Sequence, residues 1–79
     1  MKNTKLFIGN LDYNITSQQL ETFFANYGHI KEAKVIEGKG FGFVEYSTDL
    51  EAVNALEALD GYMFEGRKLR INEARSSKK

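Results

Sequence analysis

The chain has 79 residues, 42% hydrophobic and 28% charged, with no cysteine, proline or tryptophan, which describes one small globular domain. The lack of cysteine excludes disulfides, thiolate-held metals and thiol nucleophiles, and no apolar run is long enough to span a membrane. Eleven basic residues balance eleven acidic ones, and at face value that zero speaks against a nucleic-acid binder, which ordinarily carries a basic surplus.

Met1 to Lys5 leads into Leu6-Phe7-Ile8 and then Gly9-Asn10, too short an apolar stretch for a signal peptide. Lys5 to Gly9 reads as a strand, ended by a loop from Asn10 to Ile15. Thr16-Ser17-Gln18-Gln19 predicts a capping box, with Thr16 as N-cap and Gln19 reaching back. A helix over 17–28 follows. Its Leu20, Phe23, Phe24 and Tyr27 have the i, i+3, i+4, i+7 spacing of one buried face, and Gly28 is expected to stop it as a C′ residue. After His29, Ile30 to Ile36 is a second strand with Ile30, Ala33 and Val35 as core candidates.

Glu37-Gly38-Lys39 predicts a tight turn, and Gly40 to Tyr46 a third strand. Thr48-Asp49-Leu50-Glu51 repeats the capping-box pattern and opens a helix over 49–60, with Ala52, Val53, Leu56 and Leu59 on its apolar side. Asp60-Gly61 closes it. Tyr62 to Gly66 is a connecting bend, and Lys68 to Ala74 is the last strand, with Leu69 and Ile71 alternating against Arg70 and Asn72. The expected boundaries are an extension at 1–4, a domain at 5–75 and a basic tail at 76–79. The order βαββαβ predicts an α+β, ferredoxin-like split βαβ fold: a four-stranded antiparallel sheet with two helices on one face. The other face meets water.

Side chains alternate along a strand. With Leu6 and Ile8 inward, Phe7 points out; with Leu69 and Ile71 inward, Lys68, Arg70 and Asn72 point out. In the third strand Phe41 and Phe43 share one parity with Glu45, and Gly40, Gly42, Val44 and Tyr46 share the other. A glycine facing the helices would permit their close approach, so Gly42 is read inward and the phenylalanines outward. Aromatic residues of short strands usually belong to the core, but two helices cannot cover both faces of this sheet. The expected result is an exposed cluster of Phe7, Phe41 and Phe43, fringed by Lys34, Lys39, Lys68 and Arg70. Flat rings with cations around them suit stacked bases and their phosphates.

Lys39-Gly40-Phe41-Gly42-Phe43-Val44-Glu45-Tyr46 fits every position of the octapeptide signature of the RNA recognition motif, and Leu6-Phe7-Ile8-Gly9-Asn10-Leu11 resembles the family's companion hexapeptide. The resemblance implies a protein that binds single-stranded RNA, with single-stranded DNA as a further candidate. It implies neither enzyme activity nor a cofactor, and a monomer. Phe7 and Phe41 are similar to the pair on which two consecutive bases stack, Phe43 to the aromatic between sugars, and Lys39 to the residue that pairs with phosphate. Asn10 resembles a position partly structural and partly base-contacting. Arg70, Asn72 and Arg75 correspond to the region that reads base edges. A chain of this size resembles the small bacterial and organellar members, which favours a bacterial cytoplasm.

The turn at Glu37-Gly38-Lys39 is shorter than the basic loop many members carry, and Glu45 on the outward parity repels phosphate. Both features point to weaker binding. His29 has no second nitrogen or thiol ligand and reads as a solvated turn residue. Tyr13 either stacks at the rim or packs on the neighbouring loop, and Ile36 either extends the platform or packs at its edge. A protein-interaction module using the acidic helical face is the alternative function; it trails because the sheet aromatics are kept and Tyr62-Met63-Phe64 is not Arg-x-Phe. A small phosphatase on the same fold would need an arginine between Asn10 and Thr16, and there is none.

The zero net charge is itself a cancellation. The two helices hold Glu21, Asp49, Glu51, Glu57 and Asp60 and no base, a net of −5, while the rest holds all eleven bases and the other six acids, a net of +5. With both helices on one side, the molecule is expected to be acidic behind and basic in front.

Overall fold

Each helix starts where a threonine hydroxyl can replace a missing backbone partner. Thr16 and Thr48 sit in extended conformation and accept from the amides of Gln19 and Glu51, whose side chains return the bond. The computed structural model describes residues 4–36 and 38–73; Glu37 of the expected tight turn, Ala74 of the expected last strand, Arg75 and the tail lie outside them. The elements are β1 (Lys5–Gly9), α1 (Ser17–Phe24), β2 (Ile30–Ile36), β3 (Phe41–Tyr46), α2 (Asp49–Leu59), β4 (Met63–Phe64), β5 (Arg67–Lys68) and β6 (Arg70–Glu73).

Four strands form one antiparallel sheet in the order β2-β3-β1-β6, with both helices packed on one side. The core between them holds Leu6, Ile8, Val44, Tyr46, Leu69 and Ile71 from the sheet side and Leu20, Phe24, Ala52, Ala55 and Leu59 from the helices. Tyr46 Oη donates to the Phe24 carbonyl at 2.7 Å, and burial pushes that hydroxyl's pKa well above its usual range, with Glu51 adding to the shift. Both sheet edges are blunted by side chains. The Val35 amide of β2 donates to Ser17 Oγ at 2.8 Å, and the Ile71 amide of β6 to Asp60 Oδ1 at 3.0 Å.

Several sequence expectations change. The first helix is shorter than 17–28: it ends at Phe24 and passes through a 3₁₀ turn at Ala25–Tyr27. Gly28 then leaves in extended conformation rather than as a left-handed C′ residue. It is needed there for space, because a Cβ would lie 2.7 Å from Glu51 Cβ and 2.9 Å from Tyr46 Cδ1. On α2 the inward residue is Ala55 and not Val53, which is 40% exposed. Val53 follows Ala52 by one residue, about 100° around the helix from it, and alanine at 52 and 55 leaves room for the strands. The span 62–66 is not a bend but half of a small hairpin. β4 pairs with β5 across Glu65-Gly66, both at positive φ. Lys68 therefore belongs to this hairpin, and the last strand of the main sheet begins at Arg70.

Ile30, Ala33 and Val35 all turn toward the core although their numbers do not share a parity. A register irregularity between Ile30 and Glu32 accounts for it. His29 is exposed and anchored: its amide donates to Glu51 Oε2 at 3.1 Å, and Nδ1 lies 2.7 Å from Ser47 Oγ. The His29 amide, with Thr48, holds the Glu51 carboxyl below the usual carboxylate range.

Gly42 faces inward as expected, for a different reason. What closes on it is the backbone of β2, not a helix: a Cβ at Gly42 would run into the Lys34 carbonyl oxygen and come within 2.9 Å of Val35 Cα. Strand backbones cannot withdraw without losing the ladder. Gly42→Ala should therefore cost about 2 kcal/mol or more, read as a lower urea midpoint at unchanged m-value; a parent-like midpoint would show that β2 has room to move.

Candidate nucleic-acid interface

Directly opposed residues of antiparallel strands share a face, so the register maps the side of the sheet away from the helices. Its middle row runs Lys34, Phe43, Phe7, Asn72 across the four strands. Toward the end of β1, Ile36 stands opposite Phe41 on one side of the sheet and Gly9 opposite Arg70 on the other. Toward the start of β1, Glu32, Glu45 and Lys5 follow one another across three strands.

The three phenylalanines expected on this face are there, and they shield one another. Phe7 is 40% exposed and Phe41 and Phe43 are half-buried. The rings of Phe7 and Phe41 lie 5.3 Å apart with a 37° tilt, within the range of favourable aromatic pairs. Lys5 Nζ lies 4.6 Å from the centroid of Phe43, a cation–π distance. Lys5 carries the parity of Phe7, the signal that would have added it to the expected fringe.

Glu45 is not a bare acid beside the platform. It opposes Lys5 in the register and accepts from Thr4 Oγ1 at 3.2 Å. Glu32 opposes Glu45 directly, so this end of the face is acidic. The expected contrast of a basic front and an acidic back thus holds for the back, where Glu21 and Glu57 stand exposed, while the front is itself graded. Its bases gather toward the end of β1, where Arg70 and Lys39 are exposed.

Asn10 ends β1 in the left-handed region, at φ 60°. Its Nδ2 donates to the Lys68 carbonyl at 2.7 Å, and its Oδ1 accepts from Arg67 Nη2 at 3.1 Å. The residue thus ties the strand end to the β4–β5 hairpin and anchors an arginine that periodicity alone does not single out, because two-residue strands show no alternation. Lys34 and Asn72 lie on the open face, Lys68 does not lie on the main sheet, and Arg75 is outside the described residues. Tyr13 packs on the neighbouring turn, where a Cβ on Gly40 would lie 2.8 Å from its Cε1, and leaves 68% of its surface exposed. Ile36 extends the face opposite Phe41. Among the described residues no group of His, Asp or Glu is placed to hold a metal ion, and no helix is long and apolar enough to cross a membrane.

A family model described as RNA recognition motif matches residues 6–70. RbpB of Nostoc sp., a protein named for RNA binding, is 40% identical over 76 residues, covering 89% of this chain and 74% of that protein. A 29 kDa chloroplastic ribonucleoprotein of Arabidopsis thaliana is 45% identical, over 86% of this chain but only 22% of its own length. The chain thus spans about a fifth of that larger relative. The crystal structure of RNA Binding Protein PG1 superposes with a TM-score of 0.88 at 33% identity, covering 96% of this chain and 99% of that one.

The two roles of Asn10 can be separated. Asn10→Gly keeps the left-handed backbone accessible and removes both side-chain bonds, whereas Asn10→Ala adds backbone strain. Thermal unfolding should rank the parent above the glycine variant and glycine above alanine, the last step amounting to about 1 kcal/mol. Equal midpoints for the two variants would remove the conformational argument.

Proposed function

The chain belongs to the RNA recognition motif family, and from that membership we propose that it binds single-stranded RNA by stacking bases on Phe7, Phe41 and Phe43. Lys34, Lys39 and Arg70 meet the phosphates, and Asn72, on the same row as Phe7, offers hydrogen bonds to a base edge. Arg75 would extend that reading beyond the last strand. The observation that carries the proposal is the middle row of the sheet: two large rings stand side by side, a third leans on one of them, and no helix covers them. A contiguous aromatic surface left open needs a partner, and bases offer π-faces of any sequence.

The family is one of binding proteins rather than enzymes. We read the platform as working in a monomer and in a bacterial-type cytoplasm; the similar proteins come from a cyanobacterium and from chloroplasts. Discrimination between RNA and single-stranded DNA would fall to contacts with the 2′-hydroxyl. Graded charge on the open face gives an attraction that fades with salt, since exposed charges are screened over about 8–10 Å at physiological ionic strength.

Stacking is worth about 1–3 kcal/mol per base. Phe7→Ala combined with Phe41→Ala should therefore leave the circular dichroism spectrum of a folded protein and weaken binding of a short RNA at least about thirtyfold. Parent-like affinity in the double variant would remove the stacking platform from the account.

A further inference from the structure

At the end of β1 the open face runs into a notch of about 280 Å³, which Phe41, Gly9, Gly40, Tyr13, Lys39 and Arg67 help to line. Three separate segments meet there: the loop after β1, the turn before β3, and the β4–β5 hairpin. Among the described residues lining it, two are cations and none is a carboxylate.

Its key side chains are set before any ligand arrives. Arg67 is held through Nη2 on Asn10 Oδ1, which occupies one of the five N–H donors of a guanidinium. Tyr13 presents most of its ring to solvent while resting against Gly40, where no side chain intervenes. The Leu11 amide, donating to the Gly40 carbonyl at 2.9 Å, keeps that loop on the turn. An exposed ring already seated on backbone loses little freedom when something stacks on it. A guanidinium anchored on Asn10, lining the same notch as a lysine, is suited to a phosphate.

Resting on the RNA-binding reading above, the geometry points to this notch as a further nucleotide seat, in which a base stacks on Tyr13 and the attached phosphate is held by Arg67 together with Lys39. The turn around Gly38 is too short to fold over a bound strand. Closure at this end comes instead from the loop that carries Tyr13 and the hairpin that carries Arg67. The charge gradient agrees: Glu32 and Glu45 repel the strand at the far end, and the bases draw it toward the notch.

The test uses fluorescence anisotropy of a fluorescein-labelled octaribonucleotide pool of random sequence, titrated with the whole chain at several sodium chloride concentrations. Tyr13→Ala should weaken binding about tenfold at unchanged salt dependence, and Tyr13→Phe, which keeps the ring, should bind like the parent. Arg67→Gln should also weaken binding and make the slope of log K against log salt shallower by about 0.7, the change expected for one phosphate. Parent-like binding by both Tyr13→Ala and Arg67→Gln, with the Phe7 and Phe41 variant still impaired, overturns the seat and leaves the platform standing. A Tyr13→Phe variant as weak as Tyr13→Ala overturns the stacking role. A parent that does not bind the pool overturns the platform and the seat together.

Discussion

Gly42 lies where β3 presses on β2 with no space for a side chain, and the register it helps to fix carries the rest of the molecule. With Gly42 inward, Val44 and Tyr46 follow it into the core, and Phe41, Phe43 and Glu45 are turned to the other face. A slip of one residue would exchange the two sets. It would bury Glu45 without a partner and place Val44 in water. Tyr46 adds a second lock, because its hydroxyl reaches the Phe24 carbonyl only from the inward position. The exposed rings are therefore a consequence of how β3 must pack, and the two inward neighbours enforce it.

Charge is arranged on top of that register. The helices carry acid on the far side, as their sequences require, but the open face is not uniformly basic. Glu32 and Glu45 oppose one another at one end, with Lys5 the register partner of Glu45 and the Thr4 hydroxyl donating to the Glu45 carboxylate. On the proposed reading, a polyanion meeting this face would be steered along the strands toward the Asn10 end. The polarity of the platform comes from cross-strand neighbours, which the total charge of zero does not reveal.

Much of this was legible because it depends on local chemistry. The capping boxes at Thr16 and Thr48 need only residues three apart, and the outward parity of Phe7, Phe41 and Phe43 follows from counting by two. The four-stranded antiparallel sheet with both helices on one face follows from the βαββαβ pattern, whereas the order of its strands is seen only in the fold. What was not legible depends on contacts between distant segments. Counting by two places Gly42 on the inward side, but its neighbour is a strand backbone that no periodicity identifies. Val53 looks a better core residue than Ala55, until the close approach of the strands favours the smaller side chain. The irregularity near Glu32 hides the parity of β2. Arg67 carries no sequence signal because its position depends on Asn10, 57 residues away in sequence, and on a hairpin of two-residue strands too short to show alternation.

The account stands or falls on whether the rings of the open face meet RNA. The direct measurement is an aromatic ¹H–¹³C spectrum recorded while a short single-stranded RNA is added. Phe23 and Phe64, stacked at 4.6 Å beside α1, serve as internal controls within the same molecule. The account predicts that ring signals of Phe7, Phe41 and Phe43 shift in step with added RNA while those of Phe23 and Phe64 stay in place. Shifts confined to Phe23 and Phe64, with the three platform rings unmoved, would contradict it.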